Sequence, residues 1–183
     1  MKLGRDGLLR EAAQVPSPNC DERPAGTRIT LLVLHSISLP PGQYGGDAIE
    51  RLFTNRLDAQ AHPYFREVAA LRVSAHFLVR RDGALLQFVP VQRRAWHAGA
   101  SAWRGRSGCN DFSVGVELEG TDSSAFAPAQ YGRLAALIGA LGAALPLREL
   151  AAHSDVAPGR KTDPGVHFDW ARLLGALASG SAG

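Results

Sequence analysis

The apolar positions of the first two thirds of the chain predict strands. Ile29 to His35 is a nearly continuous apolar run rich in branched residues, which predicts a buried central strand. Residues 73–79 and 84–89 predict two more strands, joined through an Asp-Gly dipeptide that is typical of a hairpin. Phe112 to Gly120 alternates apolar and polar residues, so we expect a strand with one polar face that carries Glu117. Gly115 on that face is expected to leave open space beside Glu117.

Apolar residues at helical spacing predict helices elsewhere in the chain. A packing helix is expected from about Pro128 to Leu145, and a last helix covers residues 170–177. Residues 5–14 predict a short helix, and another begins near Asp47, a good N-cap residue, and runs to about Leu57. Residues 58–72 look irregular, and residues 147–152 predict a short strand that leads into His153.

Length and composition favour one globular domain. The 183 residues contain 45% hydrophobic and 20% charged residues and show no internal repeat, so we expect a single domain over residues 1–178. The Ser/Gly-rich residues 179–183 are expected to form a flexible tail. The chain is α/β in character, since predicted strands and helices share this one domain.

Charge and cysteine content narrow the classes of function. The net charge of +3 is mildly basic, and the arginine pairs 80–81 and 93–94 give only weak support for nucleic-acid binding. Two cysteines, Cys20 and Cys109, are too few for a disulfide framework. The N-terminal residues have no apolar core of signal-peptide length, and no run suits a membrane span. We therefore expect a cytoplasmic monomer that binds neither nucleic acid nor membrane.

The richest candidate for chemistry is the loop of residues 152–165. His153 and Asp163 could bind one metal ion, and Lys161 would then face whatever the metal polarises. Prolines and glycines forbid a continuous helix through this loop.

Three further histidines compete for a role in a metal site. His35 ends the predicted central strand, where ligands gather in open sheets, but it is equally read as a core histidine. His97 follows Trp96 between small residues, which suggests a pocket wall, and it is the rival third ligand. His76 lies inside an apolar strand and is interpreted as a core residue.

Two histidines and one carboxylate form a familiar catalytic zinc set that leaves one position open for water. Glu117 would accept the proton of that water, although it also suits an exposed sheet face. Lys161 would stabilise the oxyanion that develops on an attacked carbonyl. This combination is the outline of metal-assisted amide hydrolysis.

Six segments in the same order resemble the zinc N-acetylmuramoyl-L-alanine amidases of type 2, a family related to phage lysozyme-type amidases and peptidoglycan recognition proteins. The similarity runs from about Leu8 to about Leu174, and six ordered segments are far more specific than any single one. The segments are residues 34–42, 72–77, 81–83, 94–99, 109–122 and 160–165.

The resemblance implies a central mixed sheet flanked by helices, with one zinc ion at the strand ends. It places the zinc ligands on His35, His153 and Asp163, the catalytic carboxylate on Glu117 and the catalytic lysine on Lys161. Asp as third ligand matches the cytoplasmic branch from Gram-negative bacteria, whose members cleave the bond between the muramyl lactyl group and L-alanine in anhydro-muropeptides. That branch serves peptidoglycan recycling and lowers a signal that induces β-lactamase in some bacteria.

The resemblance also implies substrate contacts. The residues expected near the small muropeptide substrate are Ser36, Tyr64, Arg72, Trp96 and His97, with Arg72 near peptide carboxylates. Ser36 stands where close relatives carry Asn, and Gly108 where they carry a second Arg, so both departures would alter peptide preference. Two alternatives remain: a lytic amidase that acts on intact peptidoglycan, and a peptidoglycan-binding module without catalysis.

Overall fold

The computed structural model of the protein describes residues 1–180, which form a six-stranded mixed sheet, two small two-stranded sheets and flanking helices. The strands are β1 (Ala13–Gln14), β2 (Cys20–Glu22), β3 (Leu31–Ile37), β4 (Phe77–Val79), β5 (Leu85–Gln87), β6 (Arg93–Ala95), β7 (Ala102–Trp103), β8 (Arg106–Ser107), β9 (Ser113–Glu119) and β10 (Glu149–Ala152). The helices are α1 (Ala48–Phe53), α2 (Phe65–Val68), α3 (Cys109–Phe112), α4 (Pro128–Ala144), α5 (His153–Val156) and α6 (Trp170–Gly180).

The order of strands in the main sheet is β1-β5-β4-β9-β3-β10. Strand β3 is parallel to both β9 and β10, and β9 is parallel to β4, whereas β4 and β5 form the predicted antiparallel hairpin. Parallel strands end at the same edge of a sheet, so the residues that finish β3, β9 and β10 meet there. The register places His35 directly opposite Glu117.

The sheet separates two apolar layers. Helices α4 and α6 cover one face, where Leu134, Leu137 and Leu173 join the core that contains Leu32 and Leu34. Helix α1 covers the other face, in a second core cluster whose buried members include Ile49, Leu52, Phe53, Leu78 and Phe88. The predicted mixed sheet with flanking helices is confirmed.

The burial of strand β9 decides between the two interpretations of Glu117. Its alternation is as expected, but the polar face is not exposed to solvent, because all seven residues are buried. Glu117 and Glu119 are only 8% and 2% exposed. An exposed sheet face therefore does not explain Glu117.

The predicted N-terminal helix over residues 5–14 is wrong. This segment forms turns, a bridge between Leu3 and Leu9, and the short strand β1, which pairs with β5. Leu9 is fully buried, and its backbone N–H donates to Gln87 Oε1 at 2.7 Å. These long-range contacts outweigh local helix propensity.

Helix α1 and the region after it differ in detail from the prediction. Helix α1 ends at Phe53 instead of Leu57, because Asn55 adopts a left-handed backbone with φ of 60°. Asp47 occupies the predicted N-cap position, but its carboxylate bonds to Arg51 rather than to the helix backbone. The region 58–72, predicted to be irregular, contains the single turn α2.

The C-terminal helix is confirmed and is longer than expected. Helix α6 continues through Ser179 to Gly180, where the predicted tail was to begin. The rest of that tail, residues 181–183, lies outside the described residues. Within residues 1–180, none of the helices combines the length and the apolar character that a membrane crossing requires.

Candidate metal centre and active site

A cleft of about 850 Å³ lies at the edge where β3, β9 and β10 end. One end is polar and holds five side chains predicted to act in chemistry, namely His35, Glu117, His153, Lys161 and Asp163. The rest of the wall is largely apolar and is lined by Leu52, Phe53, Val68, Leu71 and Val73. A substrate in this cleft would therefore meet a polar reactive end and an apolar flank.

Three potential metal ligands converge at the polar end. His35 Nδ1 lies 2.8 Å from His153 Nδ1 and 3.3 Å from Asp163 Oδ2. His153 Nδ1 lies 3.0 Å from the same carboxylate oxygen. Two imidazole nitrogens and a carboxylate oxygen are a donor set that suits zinc and leaves a fourth position open. The residues present therefore fit the ion that the sequence predicted.

The fold explains why these side chains meet. His35 lies in β3, and β10 runs parallel beside it with Ala152 paired to Leu34. His153 follows Ala152 directly, so it emerges beside His35. The carbonyl of Asp163 accepts a hydrogen bond of 3.0 Å from the backbone N–H of Ser154, which returns the loop to the same place.

Electrostatics at the site suit metal binding. Burial lowers the pKa of His35 to about 4, against a smaller opposing effect of Asp163. This imidazole is therefore neutral at neutral pH, as a metal ligand must be. Burial by itself raises the pKa of Asp163, and hydrogen bonds from His153 and His35, or a cation bound in place of those hydrogens, lower the pKa below its ordinary value. The site thus offers neutral nitrogens and an ionised carboxylate.

Glu117 is a buried carboxyl group without a hydrogen bond at one oxygen. Its Oε2 is enclosed and has no partner among the described residues. Burial raises its pKa well above the ordinary value, Asp163 raises it further, and Lys161 lowers it. A carboxylate with a raised pKa is a stronger base than a free one, which suits a group that takes a proton and later returns it.

Lys161 reaches the cleft from the loop that carries Asp163. Its side chain is exposed, and its backbone N–H donates to the carbonyl of Ala157 at 3.1 Å. Its positive charge lowers the pKa of both Glu117 and His35, so it acts on the polar end of the cleft. The sequence carries a signal for it, since 18 of the 20 basic residues are arginine and Lys2 is the other lysine.

Most residues predicted to contact substrate line the cleft, namely Ser36, Tyr64, Trp96 and His97. Arg72 does not, although its neighbours Leu71 and Val73 do. The Arg72 guanidinium is exposed and donates to the carbonyls of Ala70 and Leu71. In this structure Arg72 therefore lies outside the cleft lining.

Two expectations about glycines need correction. Gly115 was predicted to leave open space beside Glu117, but a Cβ there would lie 2.4 Å from the His97 ring, which fills that space. Gly108 was expected to touch substrate and is absent from the cleft lining. It precedes α3 with φ of 71°, a conformation that favours glycine.

Asp122 had no predicted role in the site, and Tyr44 makes contacts that were not predicted. Asp122 accepts hydrogen bonds from Ser36 and Thr162, and so joins β3 to the loop that carries Asp163. Tyr44 lines the cleft, with its hydroxyl 2.9 Å from Ser124 Oγ and the Arg81 guanidinium 4.5 Å above its ring. These contacts join distant segments, so spacing along the chain does not reveal them.

His76 is the core residue that the sequence predicted. It is fully buried, and its Nδ1 accepts a hydrogen bond of 3.0 Å from the backbone N–H of Gly115. Its Nε2 lies 3.1 Å from the carbonyl of Arg93. The ring therefore links β4 to β9 and takes no part in the candidate metal site.

Comparison with known proteins defines the class to which this fold and site belong. Residues 25–166 match the model of the N-acetylmuramoyl-L-alanine amidase family, and the chain belongs to that family. The family predicted from the six sequence segments is confirmed.

Individual relatives are similar over almost the whole chain. The 1,6-anhydro-N-acetylmuramyl-L-alanine amidase AmpD of Escherichia coli K12 is 56% identical over 173 residues, which cover 93% of this chain and 94% of that protein. A crystal structure of a selenomethionine derivative of AmpD has a TM-score of 0.93 at 52% identity and covers 97% of this chain and 99% of that one. E. coli AmiD, in complex with the substrate anhydro-N-acetylmuramic acid-L-Ala-D-gamma-Glu-L-Lys, has a TM-score of 0.61 at 29% identity and covers 85% of this chain and 60% of that one.

Proposed function

We propose that this protein is a zinc-dependent amidase that hydrolyses the bond between (1,6-anhydro-)N-acetylmuramic acid and L-alanine in muropeptides. The observation that carries the proposal is the convergence of His35, His153 and Asp163 within 3.3 Å, beside the buried Glu117 and in the same cleft as Lys161. The activities for which the similar proteins are named concern the same bond and the same sugar.

The chain's own residues perform the proton transfers and the charge stabilisation. His35, His153 and Asp163 would hold zinc, which would supply an activated water and polarise the scissile carbonyl. Glu117 takes a proton from the attacking water as the new C–O bond forms. It then gives a proton to the nitrogen of L-alanine as the C–N bond breaks. Lys161 stabilises the negative charge that develops on the amide oxygen.

The proposed setting is the cytoplasm, where a monomer with one zinc ion acts on soluble fragments during peptidoglycan recycling. The free thiols of Cys20 and Cys109 suit a reducing compartment. The apolar flank of the cleft, with Leu52 and Val73, would contact the apolar parts of a muropeptide. The complete set of ligands, together with Glu117 and Lys161, argues against a binding module without catalysis.

The test compares two substrates with the zinc-loaded protein. We expect faster release of peptide from a soluble anhydro-muropeptide than from polymeric peptidoglycan, because the substrate is proposed to be the soluble fragment. Faster cleavage of the polymer would contradict the recycling assignment and favour the lytic alternative. Bound zinc with hydrolysis of neither substrate would favour a binding module. The Asp163→Ala variant is the control for activity that does not depend on the metal.

A further inference from the structure

We infer that His97 is a positioning residue, which holds the imidazole of His35 with Nδ1 free of hydrogen and directed at the metal site. This inference rests on the proposed function, because it assigns His35 as a metal ligand. It replaces the predicted role of His97 as a residue that contacts substrate. Hydrogen-bonded contacts connect four groups in a row, from His35 through His97 and Ser113 to the carbonyl of Cys109.

The direction of each hydrogen bond follows from the last of the four groups, the carbonyl of Cys109. A carbonyl oxygen only accepts, so Ser113 Oγ donates its one hydrogen to Cys109 O, at 2.6 Å. His97 Nε2, which lies 3.2 Å from Ser113 Oγ, must then be the donor of that pair. A neutral imidazole carries hydrogen on one nitrogen, so His97 Nδ1 is an acceptor.

The acceptor at His97 determines the tautomer of His35. His97 Nδ1 lies 2.9 Å from His35 Nε2, which must donate the hydrogen bond. The neutral His35 ring then has a lone pair at Nδ1, the atom that faces His153 and Asp163. Metal-binding histidines typically have such a hydrogen-bond partner at the ring nitrogen that does not bind the metal, and this partner orients the ring.

Ala98, the residue after His97, determines the tautomer of His153 in the same way. His153 Nε2 lies 3.3 Å from the carbonyl of Ala98, which again can only accept. His153 Nδ1 is therefore also free of hydrogen. Residues 97 and 98 are themselves fixed, because their backbone N–H groups donate to Asn110 Oδ1 at 3.2 and 2.8 Å. One rigid segment thus sets the tautomers of both histidines.

These tautomers have a direct consequence for the metal site. Two lone pairs and a carboxylate oxygen face one another at 2.8–3.3 Å. Such an arrangement is repulsive by itself and becomes favourable when a cation lies between the three atoms. The hydrogen bonds made by His97 and Ala98 therefore prepare the site for a cation.

Although the His97 ring lines the cleft, both of its nitrogens have hydrogen-bond partners within the protein. Its Nδ1 is used by His35 and its Nε2 by Ser113, so neither nitrogen is left for a substrate. Its ring lies against Gly115, where any larger residue would meet it at 2.4 Å. The missing side chain at Gly115 gives the His97 ring the room to reach His35.

The test uses a pair of variants with similar shape, His97→Asn and His97→Leu. The Asn side chain offers an oxygen near the position of Nδ1 and can accept from His35, whereas Leu cannot. We expect His97→Leu to bind zinc about 10–100-fold more weakly than wild type in competition with a chelator, the usual effect of losing such a partner. His97→Asn should recover most of that loss. His62→Leu, a histidine outside the chain of hydrogen bonds, is the control and should bind zinc like wild type.

A second measurement keeps the inference testable if a variant folds poorly. Nitrogen-15 NMR of the histidine rings in metal-free wild type should show His35 with hydrogen on Nε2, and Ser113→Ala should weaken that preference. The inference is overturned if His35 carries its hydrogen on Nδ1, if His97→Leu binds zinc like wild type, or if His97→Asn and His97→Leu lose equal affinity. The tautomer is measured without metal and without substrate. The result therefore does not depend on whether the protein has the proposed amidase activity.

Discussion

Asp163→Ala and Lys161→Ala are expected to lower turnover by two different routes, although the residues are separated by one position. Asp163→Ala removes the anionic member of the ligand set, so zinc should be lost on dialysis and activity with it. Lys161→Ala should keep zinc, because an ammonium group does not bind a cation. Its kcat should still fall by about 10²–10³, the usual effect of removing one group that stabilises an oxyanion.

The measurements are zinc content and kcat on an anhydro-muropeptide for both variants. The sequence provides a matched control in Lys2→Ala, the other lysine of the chain, which should change neither quantity. If Lys161→Ala retained nearly normal kcat, Lys161 would be a solvated charge of the loop and the proposed mechanism would lose that step. If Asp163→Ala retained stoichiometric zinc, the proposed ligand set would be wrong.

Glu117→Gln is expected to lower activity and to raise stability at the same time. Glutamine cannot accept the proton of the attacking water, so kcat should fall by about 10²–10⁴ with zinc retained. The stability gain follows from the raised pKa of Glu117, which is caused mainly by burial. Such a group favours the folded state below its unfolded pKa of about 4.5, and this contribution is lost as the pH rises through the folded pKa. Ionising the carboxyl group thus costs stability, and glutamine avoids that cost.

The stability part is measured by thermal unfolding of metal-free protein between about pH 5 and about pH 8. The advantage of Glu117→Gln over wild type should grow with pH across this range. Glu67→Gln, at an exposed glutamate, is the control and should show little change with pH. An advantage that stayed constant with pH would mean that the ionisation of Glu117 carries no cost. An unchanged kcat would remove Glu117 from the proposed mechanism.

The elements that could be predicted are those in which the local pattern of hydrophobic residues matches the residues that the fold buries. The apolar run of β3, the Asp-Gly hairpin of β4 and β5, and the spacing of α4 are such cases, and each is present. The N-terminal segment is the opposite case, since contacts of Leu9 with Gln87 decide its structure. A contact between residues 78 positions apart cannot be inferred from the short stretch of sequence that predicts a helix.

The candidate site also contains residues that could be predicted from the sequence and one whose role could not. His35, Glu117, His153 and Asp163 could be chosen from residue type and resemblance. The parallel strands bring the first three together, and the loop that returns to Ser154 adds Asp163. The role inferred for His97 could not be chosen in this way. It depends on room beside Gly115, and on hydrogen-bond directions set by a carbonyl elsewhere in the chain.

The bond that this protein is proposed to hydrolyse joins the lactyl carbonyl of the sugar to the nitrogen of L-alanine. The most direct test incubates the zinc-loaded protein with an anhydro-muropeptide in water enriched in oxygen-18 and identifies the products by mass spectrometry. We predict a peptide with a free amine on L-alanine, and a muramic sugar that carries one labelled oxygen in its lactyl carboxylate. Cleavage within the peptide, cleavage of a sugar linkage, or an intact substrate after incubation with zinc-loaded protein would contradict the account.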